Sequence, residues 1–215
     1  MADLVFYTHP QSRGQTIRWM LEEVGATYDT EVLDYASTMK VEPYLSINPM
    51  GKVPAIKHKG KVVTEVAAIC CYLADAFPEA KLAPPPADRA DYYRWIFFTS
   101  GPIEAAFSNK AAGWEPTPER QRMFGYGNYE LAIGTLEQAL AGKEYIAAER
   151  FTAADLFVGA NVNFMLAFNL LEPREVFVDY AWRMTDRPAY ERAKQIDAQL
   201  IADMQAAQPA QPQPA

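Results

Sequence analysis

Two kinds of hydrophobic periodicity occupy different parts of the chain. Up to about residue 78, short apolar runs such as residues 4–7, 27–35 and 53–58 alternate with stretches in which apolar side chains recur every three or four positions. Short apolar runs are typical of strands, and the three-to-four spacing is typical of helices. This part is therefore predicted to run strand, helix, strand, short helix, strand, strand, helix.

Only the helical spacing continues beyond a proline-rich stretch at residues 80–87. A long apolar stripe, predicted to bend at Gly101–Pro102, is followed by further helical stripes and by a low-complexity tail of Ala, Gln and Pro. The pattern predicts a first domain over residues 1–79, a linker over 80–87, an all-helical domain over 88–205 and a disordered tail over 206–215.

Charge and cysteine content exclude several kinds of function. The net charge is −7, so the chain should repel nucleic acid and anionic membranes. Neither a run of about 18 apolar residues nor a basic, apolar leader is present, so no membrane span and no signal peptide are predicted. Cys70 and Cys71 are adjacent, which fits neither an ordinary structural disulfide nor a zinc site, and a reducing cytoplasm is expected.

Four stretches, in this order, resemble the soluble glutathione transferases along nearly the whole chain, and their bacterial-type members in particular. They are FYTHPQSRGQTIRWMLEEVG, INPMGKVPAI, TEVAAICCYLAD and YIAAERFTAADLFVGA. The resemblance implies an α/β thioredoxin-like N-terminal domain and an all-α C-terminal helical bundle domain. It also implies a cytoplasmic, homodimeric transferase that uses glutathione as co-substrate, without a metal, and joins its sulfur to a small hydrophobic electrophile or reduces a peroxide.

The proline in MGKVPAI is the most specific part of this resemblance. Pro54 has no N–H to give to a sheet, yet it stands at the start of an apolar strand. An edge strand that begins with proline is the ordinary explanation. The resemblance instead implies a cis Val53–Pro54 bond that turns the backbone of Val53 toward a bound tripeptide, which then pairs with it like an added strand.

Two hydroxyl groups compete for activation of the glutathione thiol. A free thiol has a pKa of about 8.5, so a hydroxyl hydrogen bond and a nearby helix N-terminus are needed to hold it ionised. Ser12, at the start of the first predicted helix, is the preferred residue, with Tyr7 at the end of the first strand as the alternative and Thr8 or a backbone N–H as a third. Ser12 is also predicted to form a capping box with Gln15. His9 is expected to be a surface loop residue.

The remaining glutathione contacts are expected at the start of the third predicted helix and around Pro54. The resemblance places the ligand's ammonium on Glu65 and its carboxylate on the backbone N–H of Val66. Val66 departs from the family pattern, which has Ser or Thr there, so a hydroxyl contact is lost. Lys52 and Lys40 are candidates for a ligand carboxylate, although each is equally compatible with a solvated lysine.

The hydrophobic substrate is expected to contact the second domain. Ile103, Phe107 and Trp114 are the candidates, and ordinary core packing explains them at least as well. In RFTAADL, Thr152 and Asp155 predict a capping box, so Asp155 is interpreted as a helix cap and not as an acid. Two alternatives to a transferase are kept: a glutathione-dependent isomerase or peroxidase, and a non-catalytic binding or structural protein, which the Val66 departure favours.

Overall fold

A mixed four-stranded sheet forms early in the chain in the computed structural model, which describes residues 2–207. The strands of this sheet are β1 (Leu4–Thr8), β2 (Asp29–Val32), β3 (Ala55–His58) and β4 (Lys61–Thr64). Their spatial order is β2-β1-β3-β4, with β1 parallel to β2 and β3 antiparallel to both β1 and β4. The predicted thioredoxin-like arrangement is thus confirmed, with β2 and β3 shorter than the sequence suggested.

Eight α-helices occupy the described residues. They are α1 (Gly14–Val24), α2 (Val66–Ala76), α3 (Ala90–Phe98), α4 (Glu104–Ala111), α5 (Tyr129–Leu140), α6 (Ala153–Ala167), α7 (Glu175–Thr185) and α8 (Pro188–Ala207). From α2 to residue 207 no further strand occurs, so the helical C-terminal region is confirmed. None of the helices within residues 2–207 combines the length and the apolar character needed to cross a membrane.

The predicted bend at Gly101–Pro102 appears as a wide turn between two helices. Thr99–Ile103 forms a π-helical segment that joins α3 to α4 and contains Pro102. Proline cannot donate the backbone hydrogen bond that a regular helix requires, and both proline and π-helical bulges are recognised causes of a bend in a helix.

Two compact units divide the described chain. One contains the residues up to 69 together with those from 188 onward, and the other contains residues 70–187. The last helix, α8, belongs to the first unit, where it packs against α1. The domain boundaries inferred from sequence remain a prediction. Of the predicted tail, residues 208–215 lie outside the described residues, and residues 206 and 207 complete α8.

A buried ion pair joins α8 to α1. Arg18 is 1% exposed, and its Nε donates to Oδ1 of Asp197 at 3.1 Å. Its Nη1 donates to Thr30 Oγ1 at 2.9 Å and to the Tyr28 hydroxyl at 3.3 Å. Because a buried charge is costly unless it is paired and hydrogen-bonded, these contacts are what allows a guanidinium to lie between the sheet and α8.

The capping box at the start of α6 is confirmed. Thr152 Oγ1 accepts from the backbone N–H of Ala154 at 3.3 Å, and the Asp155 carboxylate accepts from the backbone N–H of Thr152 at 3.0 Å. The same carboxylate accepts from the backbone N–H of Ile146 and from the Tyr180 hydroxyl. Burial raises the pKa of Asp155, although these hydrogen bonds oppose the increase. Asp155 is therefore a structural residue, as the sequence indicated.

Loss of the buried ion pair is expected to destabilise the protein strongly. Asp197→Ala leaves Arg18 without its carboxylate, and breaking one partner of a buried pair typically costs about 3–5 kcal/mol. The free energy of unfolding from urea denaturation measures this. Asp203→Ala is the matched control, because Asp203 is an exposed aspartate on the same helix, and a change within about 0.5 kcal/mol is expected there. Equal effects of the two substitutions would contradict the importance of the pair.

Candidate functional site

Three strand ends meet at one end of the sheet. Tyr7 on β1 pairs with Ala55 on β3, and Ala55 pairs in turn with Thr64 on β4. The residues that follow β1, precede β3 and follow β4 are therefore neighbours in space, because paired strands in register end side by side. Pro54, directly before β3, therefore lies beside the end of β1, and Glu65, directly after β4, lies beyond Pro54 on the side away from β1.

The segment before β3 is held by two side chains that the sequence analysis did not single out. The Val53–Pro54 bond is cis, as the resemblance implied. The carbonyl of Lys52 accepts from the Tyr44 hydroxyl at 2.5 Å and from the Asn48 amide at 2.8 Å. Val53 itself lies outside the strand pairs. The four-residue spacing between Asn48 and Lys52 is the only sign of this contact that the sequence offers.

Gly51 and Lys40 complete this segment. Gly51 has a φ of +57°, and a Cβ there would lie 2.7 Å from the carbonyl oxygen of Met39, so both conformation and space require glycine. Lys40 Nζ donates to the Gly51 carbonyl at 2.5 Å. Lys40 is therefore adjacent to the segment that carries Lys52, whose own side chain is exposed.

Glu65 has an unusual backbone conformation directly before α2. Its φ is +67°, in the left-handed region, and its carbonyl accepts from the backbone N–H of Ile69 at 2.9 Å. Its side chain is exposed, and Val66, the first residue of α2, is half-buried. A left-handed non-glycine residue is strained, and such strain is concentrated at functional sites. The N–H groups of a first helical turn also favour an anion.

Tyr7 is half-buried near the same end of the sheet. Its ring lies 5.6 Å from that of Tyr44, and both pack in a cluster with Met39 and Val53. Burial, and to a smaller extent the Glu31 carboxylate, raise the pKa of the Tyr7 hydroxyl. The phenol is therefore a hydrogen-bond donor and not a phenolate at neutral pH.

Ser12 lies in a tight loop between β1 and α1, and the predicted capping box with Gln15 is wrong. The helix begins at Gly14, and Ser12 Oγ accepts from its backbone N–H at 2.9 Å. Gln15 does not reciprocate, because its side-chain amide donates to the carbonyl of Pro10 at 2.7 Å. The Ser12 hydroxyl donates instead to the carbonyl of His9 at 2.6 Å.

His9 is buried, which corrects its prediction as a surface residue. Its side chain is 6% exposed and its ring lies 4.6 Å from that of Tyr35. Nδ1 of His9 accepts from the backbone N–H of Gln11 at 3.2 Å. Thr8 is also buried, and its hydroxyl oxygen lies 2.0 Å from where a Cβ on Gly14 would be placed. The loop thus packs tightly against the start of α1.

The three apolar candidates lie in the second unit and differ in exposure. Ile103 and Phe107 are buried, and the Phe107 ring lies 6.2 Å from that of Phe164. Trp114 follows α4, is 44% exposed and packs its ring edge-on against Phe124. Of the three, Trp114 offers the largest side-chain surface within this unit.

The cysteines do not form a reactive centre. Cys70 is buried and Cys71 is half-buried, both are free, and burial raises the pKa of each thiol, which disfavours the nucleophilic thiolate. In the part of the chain from residue 2 to residue 207, no three His, Cys, Asp or Glu side chains are grouped so that they could hold a metal ion.

Comparison with known proteins gives consistent matches over both halves. Residues 12–76 match the family described as the glutathione S-transferase N-terminal domain. Glutathione S-transferase 1 of Schizosaccharomyces pombe is 31% identical, over 67% of this chain and 68% of that protein. A glutathione transferase structure from Methylococcus capsulatus is 25% identical, with a TM-score of 0.75 over 91% of this chain and 99% of that one. The fold is also shared with URE2P6 from Phanerochaete chrysosporium, solved with oxidised glutathione (23% identity, TM-score 0.74, 93% and 98% covered).

The left-handed conformation of Glu65 is testable by comparing two substitutions that both remove its carboxylate. Glycine tolerates a positive φ, whereas any other residue pays about 1 kcal/mol or more there. Glu65→Gly is therefore expected to be more stable than Glu65→Ala by about 1 kcal/mol in urea denaturation. The same pair at Glu31, in extended backbone on β2, should show the opposite order. A Glu65→Ala variant as stable as Glu65→Gly would argue against the left-handed conformation.

Proposed function

This chain belongs to the glutathione S-transferase family, and on that premise we propose that it binds glutathione at the end of its sheet and activates the thiol. The activated sulfur then attacks a small hydrophobic electrophile or a peroxide. The observation that carries the proposal is the juxtaposition of the cis Val53–Pro54 segment with the strained residue Glu65 at the N-terminus of α2. The Val53–Pro54 segment offers backbone groups to a peptide, and Glu65 offers a carboxylate beside the N–H groups of the first helical turn.

The peptide would be held by groups matched to each of its charges. Val53 pairs with the ligand backbone, the Glu65 carboxylate accepts from the ligand ammonium, and the N–H of Val66 donates to the adjacent carboxylate. Lys52, whose side chain is exposed, can meet a ligand carboxylate. Lys40 can meet the glycine carboxylate, because an ammonium has three donors and the bond to Gly51 occupies one.

Ser12 is the preferred donor to the ligand sulfur. Its hydroxyl donates to the His9 carbonyl, which also accepts from the Ser12 N–H at 3.1 Å and from Thr8 Oγ1 at 3.3 Å. If Ser12 Oγ rotates toward a thiolate, those two donors keep the carbonyl satisfied. The thiolate is then stabilised by this hydroxyl and by the N-terminus of α1. Tyr7 is the alternative donor, since its protonated phenol lies near the same end of the sheet.

The reaction follows from the ionised thiol. The sulfur lone pair forms a bond to the electrophilic carbon, and the leaving group departs with its bonding electrons. Trp114, Phe107 and Ile103 are the candidate contacts for the apolar part of the electrophile, and Trp114 is the exposed one of the three. Glutathione-dependent isomerisation or peroxide reduction would start from the same thiolate.

The proposal also includes that the protein is a homodimer and that it is located in a reducing cytoplasm. In the stretch DYYRWIFF, Tyr92, Trp95 and Ile96 are buried, whereas Tyr93 and Phe97 are exposed and offer apolar surface to a second copy. The free state of both cysteines suits a reducing compartment.

A non-catalytic role in binding is the second candidate, favoured by one observation. Val66 stands where the family pattern has a hydroxyl residue, and a hydrogen bond to a charged group contributes about 1.5–3 kcal/mol. A protein that keeps the fold but binds glutathione weakly would fit this departure.

Titration of bound glutathione separates the two candidates. Thiolate absorbance in the ultraviolet, followed across pH with the full chain, should show the bound thiol ionising about one unit or more below its free pKa of about 8.5. Ser12→Ala is expected to reverse this shift and to lower kcat/KM with an aryl halide by about tenfold or more, whereas Tyr7→Phe should change both less. Binding without the shift would favour the non-catalytic role, and a larger loss in Tyr7→Phe would reassign the donor.

Restoring the missing hydroxyl is expected to strengthen binding. Val66→Ser adds a donor for the ligand carboxylate, so the Kd for glutathione measured by calorimetry should fall by about tenfold. Val62→Ser is the control, because Val62 is an exposed valine on β4 away from the start of α2. An unchanged Kd in Val66→Ser would remove this position from the ligand contacts.

A further inference from the structure

We propose that His9 is a positioning residue whose imidazole holds the loop that presents the Ser12 hydroxyl to the ligand sulfur. The proposal rests on the thiol-activating function above and assigns a role to a side chain that touches neither ligand nor reacting atoms. His9 and Ser12 lie in the same short loop between β1 and α1.

Both backbone groups of Gln11, the residue before Ser12, are held by aromatic side chains. His9 Nδ1 accepts from the backbone N–H of Gln11 at 3.2 Å, and the Tyr35 hydroxyl donates to the Gln11 carbonyl at 3.2 Å. The two rings contact each other at 4.6 Å. Because Gln11 directly precedes Ser12, fixing both of its backbone groups fixes the direction in which the Ser12 side chain leaves the loop.

The backbone of His9 contributes as well as its ring. Its carbonyl accepts from Thr8 Oγ1, from the Ser12 N–H and from Ser12 Oγ, although a carbonyl oxygen has only two lone pairs. The Ser12 hydroxyl can therefore leave without exposing an unpaired acceptor, because two donors remain on the His9 carbonyl. The imidazole anchors the residue whose carbonyl keeps this hydroxyl in place until a thiolate competes for it.

Burial makes the imidazole difficult to replace. His9 is 6% exposed, so a leucine that fills the place of its ring leaves the Gln11 N–H facing an apolar side chain instead of Nδ1. Acceptance at Nδ1 assigns the ring proton of neutral His9 to Nε2. A side chain of similar size without an acceptor would fill the space but release the loop.

Three variants test the role. His9→Leu removes the acceptor, His9→Asn keeps a side-chain acceptor near the position of Nδ1, and Tyr35→Phe removes one hydroxyl from an exposed side chain. His9→Leu is expected to raise the pKa of bound glutathione by about one unit and to lower kcat/KM by about tenfold, with the Kd for glutathione within about threefold of wild type. For His9→Asn, both kcat/KM and the Kd for glutathione should stay within about threefold of wild type. Tyr35→Phe should lose about two- to fivefold in kcat/KM.

His58→Leu is the matched control, because His58 is the chain's other histidine, is also 6% exposed, and lies on β3 at the end away from Ala55. It should lower stability without moving the pKa of the bound thiol. Unchanged thiol ionisation in His9→Leu would overturn the proposal, as would an equal loss in His9→Asn or an equal shift in His58→Leu. If His9→Leu does not fold, the Tyr35→Phe variant tests the proposal instead. An unaltered kcat/KM in Tyr35→Phe would overturn the positioning role of His9.

The titration of wild type distinguishes a failure of the proposed function from a failure of the positioning role of His9. If glutathione bound to wild type ionises no more easily than free glutathione, the proposed function fails and the role of His9 fails with it. If wild type lowers the pKa of the thiol and the His9 variants leave that pKa unchanged, only the positioning role is overturned.

Discussion

The pairing of Tyr7 with Ala55 and of Ala55 with Thr64 is the constraint on which the candidate site depends. A slip of one residue in either pairing would turn every side chain on that strand to the opposite face. It would also separate the end of β1 from the turn at Pro54 and from Glu65. Strand register therefore sets which loops meet, before any side chain contributes chemistry.

Backbone atoms form much of what this register brings together. The Lys52 carbonyl is held by Tyr44 and Asn48, and the His9 carbonyl gathers donors from the loop that follows it. Glu65 contributes its position at a helix N-terminus as much as its carboxylate. In each case a neighbouring side chain or a tight turn orients a peptide group, so the geometry of the site is a property of the fold.

Local patterns account for what the sequence predicted correctly, and contacts between distant residues account for what it did not. The capping box at Thr152 depends on residues within a few positions, whereas the cis bond before Pro54 was implied by the family resemblance. The same local rule failed at Ser12, because the loop closes on His9 before the helix begins. The ring of His9 contacts that of Tyr35, and α8 is linked to α1 by an ion pair that spans 179 residues, contacts that no periodicity reveals.

Because peptide groups hold the candidate site in shape, its architecture and its side-chain contacts to a ligand can vary independently. Lys52 and Val66 are proposed ligand contacts, yet the turn before β3 is held through the carbonyl of Lys52 and the start of α2 through its backbone. Replacing them leaves those fastenings intact. Side chains at such positions can therefore change while the architecture persists, and the Methylococcus capsulatus structure shares this fold at 25% identity.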